Sequence, residues 1–197
     1  MFDNSAPQEI ETKFRLSDRV EFERRLANLG AAAGPAEFES NVLLDDAAGS
    51  LRTNGQALRL RESGGTSVVT FKGKATLDRG LKSRVEIESG VTNAKSLGDI
   101  FTALGFAPVF RYEKHRTTWR FPDPELPLVV VDETPLGLFA EIEGAEPAVR
   151  ALAERLGVSQ REMLVQSYPM LYQEARKENP ELPKDMIFAG PPAGDPG

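Results

Sequence analysis

Cysteine is absent from the 197-residue chain, and histidine and tryptophan each occur once. Without cysteine there is no disulfide framework and no thiolate metal site. Long apolar runs are missing too: the longest purely aliphatic stretch, Leu128 to Val131, is far too short to cross a bilayer. The amino terminus lacks the basic-then-apolar layout of a signal peptide. Positive charge is not in surplus either, since the net charge is −6. That balance argues against broad nucleic-acid binding while leaving room for local basic clusters. What is present is 40% hydrophobic and 27% charged residues, the make-up of a soluble globular protein able to bury a core. The length suits one generous domain, expected over residues 1–188, with a flexible proline- and glycine-rich tail over 189–197. A cytoplasmic location is compatible with these absences.

Along the chain, strands dominate the middle, and helical patterns sit at the start, centre and end. Glu9 to Arg15 alternates with a period of two, the repeat of a β-strand. Ser17 or Asp18 can cap a helix bearing Phe22, Leu26 and Leu29, with Gly30 as its stop. Gly34-Pro35 reads as a turn, Phe38 to Leu44 as a strand and Leu51 to Gly55 as another turn. Ala57 to Arg61 and Val68 to Lys74 flank the hairpin signal Gly64-Gly65, and Lys82 to Glu88 alternates strictly. Asn93 is placed to cap a helix through Leu97, Ile100, Phe101 and Leu104. Val109 to Arg120, Leu128 to Asp132 and Leu138 to Glu143 are extended, and a helix follows over Ala148, Leu152 and Leu156. Ser159 to Glu162 forms a capping box for a final helix through Met163, Leu164, Tyr168 and Leu171, which Pro169 should kink or break. The fold class is α+β, with roughly eight strands in a mainly antiparallel sheet.

The faces of those strands carry the functional signal. Glu9, Glu11, Lys13 and Arg15 share one face, with Ile10, Thr12 and Phe14 opposite. The same holds for Arg59 with Arg61, Lys72 with Lys74, and Lys82 with Arg84, Glu86 and Glu88. It holds again for Lys114 with Arg116 and for Glu141 with Glu143, while Asp132 ends the strand between them. A wetted sheet face would more often show Thr, Ser and Gln. Charged pairs on strand after strand suggest a sheet curled around a charged interior, its apolar face carrying the helices. An eight-stranded barrel encloses room for one small ligand. Unpaired charges there would be very costly, so they must be paired or bound to ions. Arg and Lys in numbers suit phosphate oxygens, and clustered Asp and Glu suit a hard cation, Mg²⁺ or Mn²⁺. A polyphosphate held with metal satisfies both sets.

The ordered set of these motifs resembles the CYTH superfamily, the triphosphate tunnel metalloenzymes. Glu9-Ile10-Glu11-Thr12-Lys13 is similar to the family's E-x-E-x-K signature. Leu58 to Arg61, Thr70 to Gly73, Arg84 to Glu88, Lys114-x-Arg116, Asp132-Glu133, Gly137 to Glu143 and Ser167-Tyr168 continue the likeness in order. Within the family, the sequence looks most similar to the bacterial class IV adenylyl cyclase-like and thiamine triphosphatase-like branch, and Asp185 to Phe188 shares that likeness.

The resemblance implies an eight-stranded antiparallel tunnel with helices on its outer face, binding a triphosphate and a divalent metal. By motif, Glu9, Glu11, Asp132, Glu141 and Glu143 are the implied metal positions. Lys13, Arg59, Arg61, Lys72, Arg84, Lys114 and Arg116 are the implied phosphate-binding positions. Glu86 and Glu88 would bind metal or hold the basic residues in place, and Lys13 or Glu11 would help activate the nucleophile. The implied chemistry is in-line attack at phosphorus. Three readings stand: a triphosphatase first, a class IV adenylyl cyclase making cyclic AMP and pyrophosphate, and a non-catalytic polyphosphate- or nucleotide-binding module. The expected partner is ATP, thiamine triphosphate or tripolyphosphate, without nucleic acid or membrane, and a homodimer is compatible. Parity turns His115 and Trp119 outward and Tyr112 inward, toward a ligand ring at the tunnel mouth or into the core.

Overall fold

A computed structural model describes residues 8–190. Its centre is a closed antiparallel barrel. The strands are β1 (Gln8–Arg15), β2 (Ala32–Asp46), β3 (Ala57–Ser63), β4 (Thr66–Lys72), β5 (Thr76–Asp78), β6 (Leu81–Val91), β7 (Phe106–Arg120), β8 (Leu128–Thr134) and β9 (Gly137–Glu143). They follow the order β1-β9-β8-β7-β2-β3-β4-β6, and β1 pairs again with β6 to close the ring. Eight strands make the barrel, and β5 is a short ninth that hairpins onto β6, an element the alternation pattern did not announce.

Closure has a physical consequence. A barrel has no free edge, so every strand's backbone groups can pair with neighbours on both sides. Period-two alternation then sends one set of side chains into the lumen and the other outward.

The outward set is covered unevenly. Over β1, β9 and β8, helices α1 (Arg19–Asn28) and α4 (Glu146–Arg155) bury Phe22, Leu26, Val149, Leu152 and Ala153 against Phe14, Ala140, Ile142, Val129 and Val131. Each such large apolar side chain contributes about 1.5–3 kcal/mol when fully buried. Trp119 joins this cluster, as its outward parity requires. Helix α1 starts where Asp18 Oδ1 accepts the Glu21 amide at 3.0 Å, and Glu21 turns instead to Arg24 and Arg25. Helix α3 (Ala94–Ala103) is capped by Asn93, whose Oδ1 accepts from the Ser96 amide at 2.9 Å. Its expected apolar stripe is only partly covered: none of its residues is fully buried, and Ile100 and Leu104 stay exposed.

The inward set changes character along the barrel. At one end Phe110, Tyr112 and Phe139 meet Tyr168, Leu171 and Tyr172 of α5 (Tyr168–Glu178), with Met186 behind them. This aromatic cluster closes that end. The rest of the lumen is lined mainly by charged side chains, with Val68, Leu128 and Val130 among them.

Several local expectations are corrected. Gly34-Pro35 is not a turn but a bulge inside β2, where the pairing with β7 slips between Ala33 and Ala36. Proline has no N–H for the ladder, and a bulge is where a strand tolerates that. Leu51 to Gly55 contains a helical turn, α2 (Ser50–Thr53), because Asp45 accepts from the Leu51 and Arg52 amides. The capping box at Ser159 and Glu162 forms, yet it opens only a 3₁₀ turn over Gln160–Glu162. The last helix begins at Tyr168 rather than at Gln160, the start its motif marks, with Pro169 in its first turn. Proline there loses nothing, since the first-turn amides lack partners anyway. His115 points outward and sits between the rings of Phe38 and Phe188, 5.3 and 5.1 Å away. The expected tail at 189–197 lies, from 191 onward, outside the described residues. No described helix is long and apolar enough to cross a membrane.

Candidate active site in the barrel lumen

The lumen holds a cavity of about 800 Å³, within the range of small-molecule sites. All the site positions read from sequence line it except Asp132. Register explains the convergence. Across β1 and β9, Glu11 faces Glu143 and Lys13 faces Glu141. Across β1 and β6, Glu9 faces Arg84 and Glu11 faces Lys82. Strands β3, β4 and β7 add Arg59, Arg61, Lys72, Lys114 and Arg116 from the other walls.

Most of these charges are paired. Lys13 Nζ stands 2.8 Å from Glu141 Oε1, and Lys82 is bonded to Glu11. Arg116 reaches Asp132 and Glu141 through Nη2, at 2.7 and 2.6 Å. Arg84 Nε donates to Glu86 at 2.8 Å, and Lys72 binds the same carboxylate. Arg59 Nη2 lies 3.2 Å from Glu88. Taking an ion out of water costs several kcal/mol, so pairing of this density is what keeps the lumen compatible with folding.

Asp132 is fully buried beneath the cavity. Its two oxygens accept from Arg116 Nε and Nη2, Lys114 Nζ and the Tyr168 hydroxyl, at 2.7 to 3.1 Å. With four donors on one carboxylate, it has little capacity left for a cation, and it anchors basic residues instead. Arg15, at the closed end, lays its guanidinium over Phe139, 4.6 Å from the ring centroid.

Two lumen residues had no role assigned from sequence. Lys82 lay on the alternating face of β6 and went unassigned; it is buried against Glu11. Glu39 is buried 3.4 Å from Lys114 and 3.6 Å from Arg61. The alternation Glu37, Glu39, Asn41, Leu43 on β2 was its available signal. Tyr112 lies inward as parity requires, at the closed end beside Phe110 and Tyr168 rather than at a mouth.

Surroundings set the carboxyls very differently. Burial pushes Glu9 up to about 9, helped by a hydrogen bond with Glu86 and opposed by Lys72. Burial opposes ionisation of Glu86 too, but the bond from Glu9 and the charges of Lys72 and Arg84 bring it down to about 2. The two carboxyls titrate as a coupled pair, Glu9 raised and Glu86 lowered from the ordinary range. Burial pushes Glu143 up to about 7 against the pull of Arg116. Glu11 is buried as well, yet Lys82, Lys13 and Lys72 hold it below the ordinary range. Burial would lower Lys13, and Glu141 with Glu11 outweigh it, so its pKa is raised.

Glu9, Glu11 and Glu143 each offer a carboxylate oxygen, all within 4.8 Å of one another. Glu9 Oε2 is buried without a direct hydrogen bond among the described residues, its nearest cations being Arg84 Nε at 3.6 Å and Lys72 Nζ at 3.9 Å. An all-oxygen donor set, crowded and with an unpartnered lone pair, fits a hard divalent cation.

Comparison with known proteins agrees with this architecture. Residues 7–177 match the CYTH domain. A protein of Methanocaldococcus jannaschii named "putative adenylate cyclase" is 30% identical over 135 residues, covering 68% of this chain and 75% of that one. A solved "putative adenylate cyclase" of Vibrio parahaemolyticus superposes with a TM-score of 0.73 at 19% identity, over 86% of this chain and 99% of its own. A Hippeastrum "putative adenylyl cyclase" described as having a dominant triphosphatase activity gives 0.62 at 18% identity, over 85% and 96%. The two structures share the fold, and the family match spans most of the chain. The chain belongs to the CYTH domain family.

Proposed function

We propose that the protein is a divalent-metal-dependent enzyme that binds a triphosphate in the lumen and cleaves it by in-line attack of water at phosphorus. The observation that carries this is the meeting, in one cavity, of the Glu9, Glu11 and Glu143 cluster with basic side chains from the facing strands. Cations alone would serve a module that only binds phosphate; the crowded carboxylates serve a metal as well, and that favours an enzyme.

Glu9, Glu11 and Glu143 would hold Mg²⁺ or Mn²⁺, which supplies neutralisation of charge on the phosphate oxygens. Arg59, Arg61, Lys72 and Arg84 bind and orient the phosphate chain, the arginines through forked contacts and the lysine as a point charge. Lys114 and Arg116 are held from below by Asp132 and present their remaining donors to the ligand. Lys13 enters as a cation. A lysine base needs a depressed pKa, and its carboxylate neighbours raise it. Glu11, kept ionised by three lysines, acts as a metal ligand rather than a proton acceptor.

The second reading is an adenylyl cyclase, in which the ribose 3′-hydroxyl takes the place of water and attacks the α-phosphorus. The Methanocaldococcus relative's name favours it; the activity described for the Hippeastrum protein favours hydrolysis. The test incubates the protein with tripolyphosphate, thiamine triphosphate or ATP and Mg²⁺ or Mn²⁺, then separates the products. Phosphate release from tripolyphosphate or thiamine triphosphate supports the triphosphatase. Cyclic AMP with pyrophosphate from ATP supports the cyclase and overturns the first reading. Tight metal-dependent binding without turnover leaves only the module.

A further inference from the structure

One segment outside the barrel strands grips a single lumen residue three times. The Leu164 amide donates to the Lys13 carbonyl oxygen at 2.6 Å. Lys13 Nζ lies 3.5 Å from the Gln166 carbonyl oxygen. The same ammonium stands 4.1 Å from the centroid of the Tyr168 ring. Tyr168 is itself fixed: its ring meets Phe139 edge-on at 5.3 Å, and its hydroxyl donates to Asp132 Oδ2 at 2.7 Å.

A lysine ammonium rides on a flexible four-carbon stem and does not orient itself. Glu141 holds it by charge, and that pairing also neutralises it toward a ligand. An aromatic face holds a cation differently. The ring quadrupole attracts the ammonium while leaving its positive charge available. Through its hydroxyl, the same residue occupies the carboxylate that anchors Lys114 and Arg116.

We propose that Tyr168 is a positioning residue: its ring fixes the Lys13 ammonium in the lumen, and its hydroxyl, through Asp132, fixes Lys114 and Arg116. The first turn of α5 thus sets three cations that belong to other strands. This role rests on the lumen being a triphosphate site and adds to that reading a residue from outside the barrel strands.

The two jobs separate by substitution. Tyr168→Phe keeps the ring and removes the hydroxyl; Tyr168→Leu removes both, and Tyr168→Met replaces it if the leucine variant does not fold. The experiment records the Lys13 side-chain resonances of the full chain by NMR, assigned through Lys13→Arg, beside steady-state kinetics with Mg²⁺ and tripolyphosphate. Ring current should shift the Lys13 ε-protons upfield in the wild type and in Tyr168→Phe, and the shift should vanish in the leucine variant. There kcat should fall at least tenfold with KM within about threefold, because orientation is lost rather than binding. Tyr168→Phe, which keeps Lys13 placed but frees Asp132, should recover only part of that loss, the remainder measuring the hydroxyl's hold on Lys114 and Arg116. Unshifted Lys13 ε-protons in the wild type, or a folded leucine variant with wild-type kcat, overturns the role. A wild-type protein that cleaves no triphosphate contradicts the functional reading instead. The role is then decided by the Lys13 resonances alone: an upfield shift kept in Tyr168→Phe and lost in the leucine variant supports it, and a shift that survives in the leucine variant overturns it.

Discussion

Lys13 and Glu141 are directly opposed across β1 and β9, and their charged atoms meet at 2.8 Å with almost no solvent access. Removing Glu141 strands the Lys13 ammonium, whereas removing Lys13 leaves Glu141 its bond to Arg116. Glu141→Gln should therefore cost about 3–5 kcal/mol in urea unfolding, the usual penalty of an unpaired buried charge, and Lys13→Met less. The double variant should recover part of that loss; strict additivity would mean that the two do not interact.

Asp132 gives a pH-dependent counterpart. Burial would raise its pKa, but Arg116 and Lys114 hold it below the ordinary 3.8. A depressed carboxyl contributes stability above its unfolded value and loses it as pH falls through the folded one. Asp132→Asn should thus lower the melting temperature strongly at pH 7. The gap to the wild type should narrow as the pH drops below about 3.8, the ordinary value. A gap that widens in acid would contradict the assignment of Asp132 as an ionised anchor.

Phosphate contacts predict a different kinetic pattern. Hydrogen bonds to charged groups are each worth about 1.5–3 kcal/mol, so Arg59→Ala or Arg84→Ala should weaken binding of tripolyphosphate by roughly 10- to 100-fold. Calorimetry checks this, and unchanged affinity in both would remove these arginines from the phosphate path.

A fourth expectation lies outside the lumen. Gly80 has φ +82°, and a Cβ there would come within 2.7 Å of Met163. Its carbonyl oxygen accepts from Thr12 Oγ1 at 3.0 Å, tying the β5–β6 turn to β1. Gly80→Ala should destabilise by about 1–2 kcal/mol from backbone strain alone, with more from the displaced Met163. Turnover per folded molecule should stay near that of the wild type.

Much of this could be read from side-chain parity. Charges at Glu9, Glu11 and Lys13 and at Lys82, Arg84, Glu86 and Glu88 follow a period of two, and one strand face is a local property. Glu39 lay inside the strand read over Phe38 to Leu44, but its same-face neighbours there are Asn41 and Leu43, and Glu37, the charge that would have paired with it on that face, fell before the strand's expected start. Pro169 looked like a helix breaker because the capping box upstream suggested an earlier start. Asp132 carried the right residue type at the right register, but its burial depends on where α5 docks, more than thirty residues away in sequence. Tyr168 was legible only as part of a motif, since its contacts with Lys13 and Asp132 arise from tertiary packing.

The proposed binding of a divalent cation by Glu9, Glu11 and Glu143, beside a triphosphate in the lumen, is open to direct observation. A crystal grown with Mn²⁺ and a non-hydrolysable triphosphate analogue tests it directly through anomalous scattering. The expected result is a manganese peak coordinated by those three carboxylates, with the phosphate chain running toward Arg59, Lys72 and Arg84. A manganese peak elsewhere, or an analogue bound outside the barrel, would contradict it.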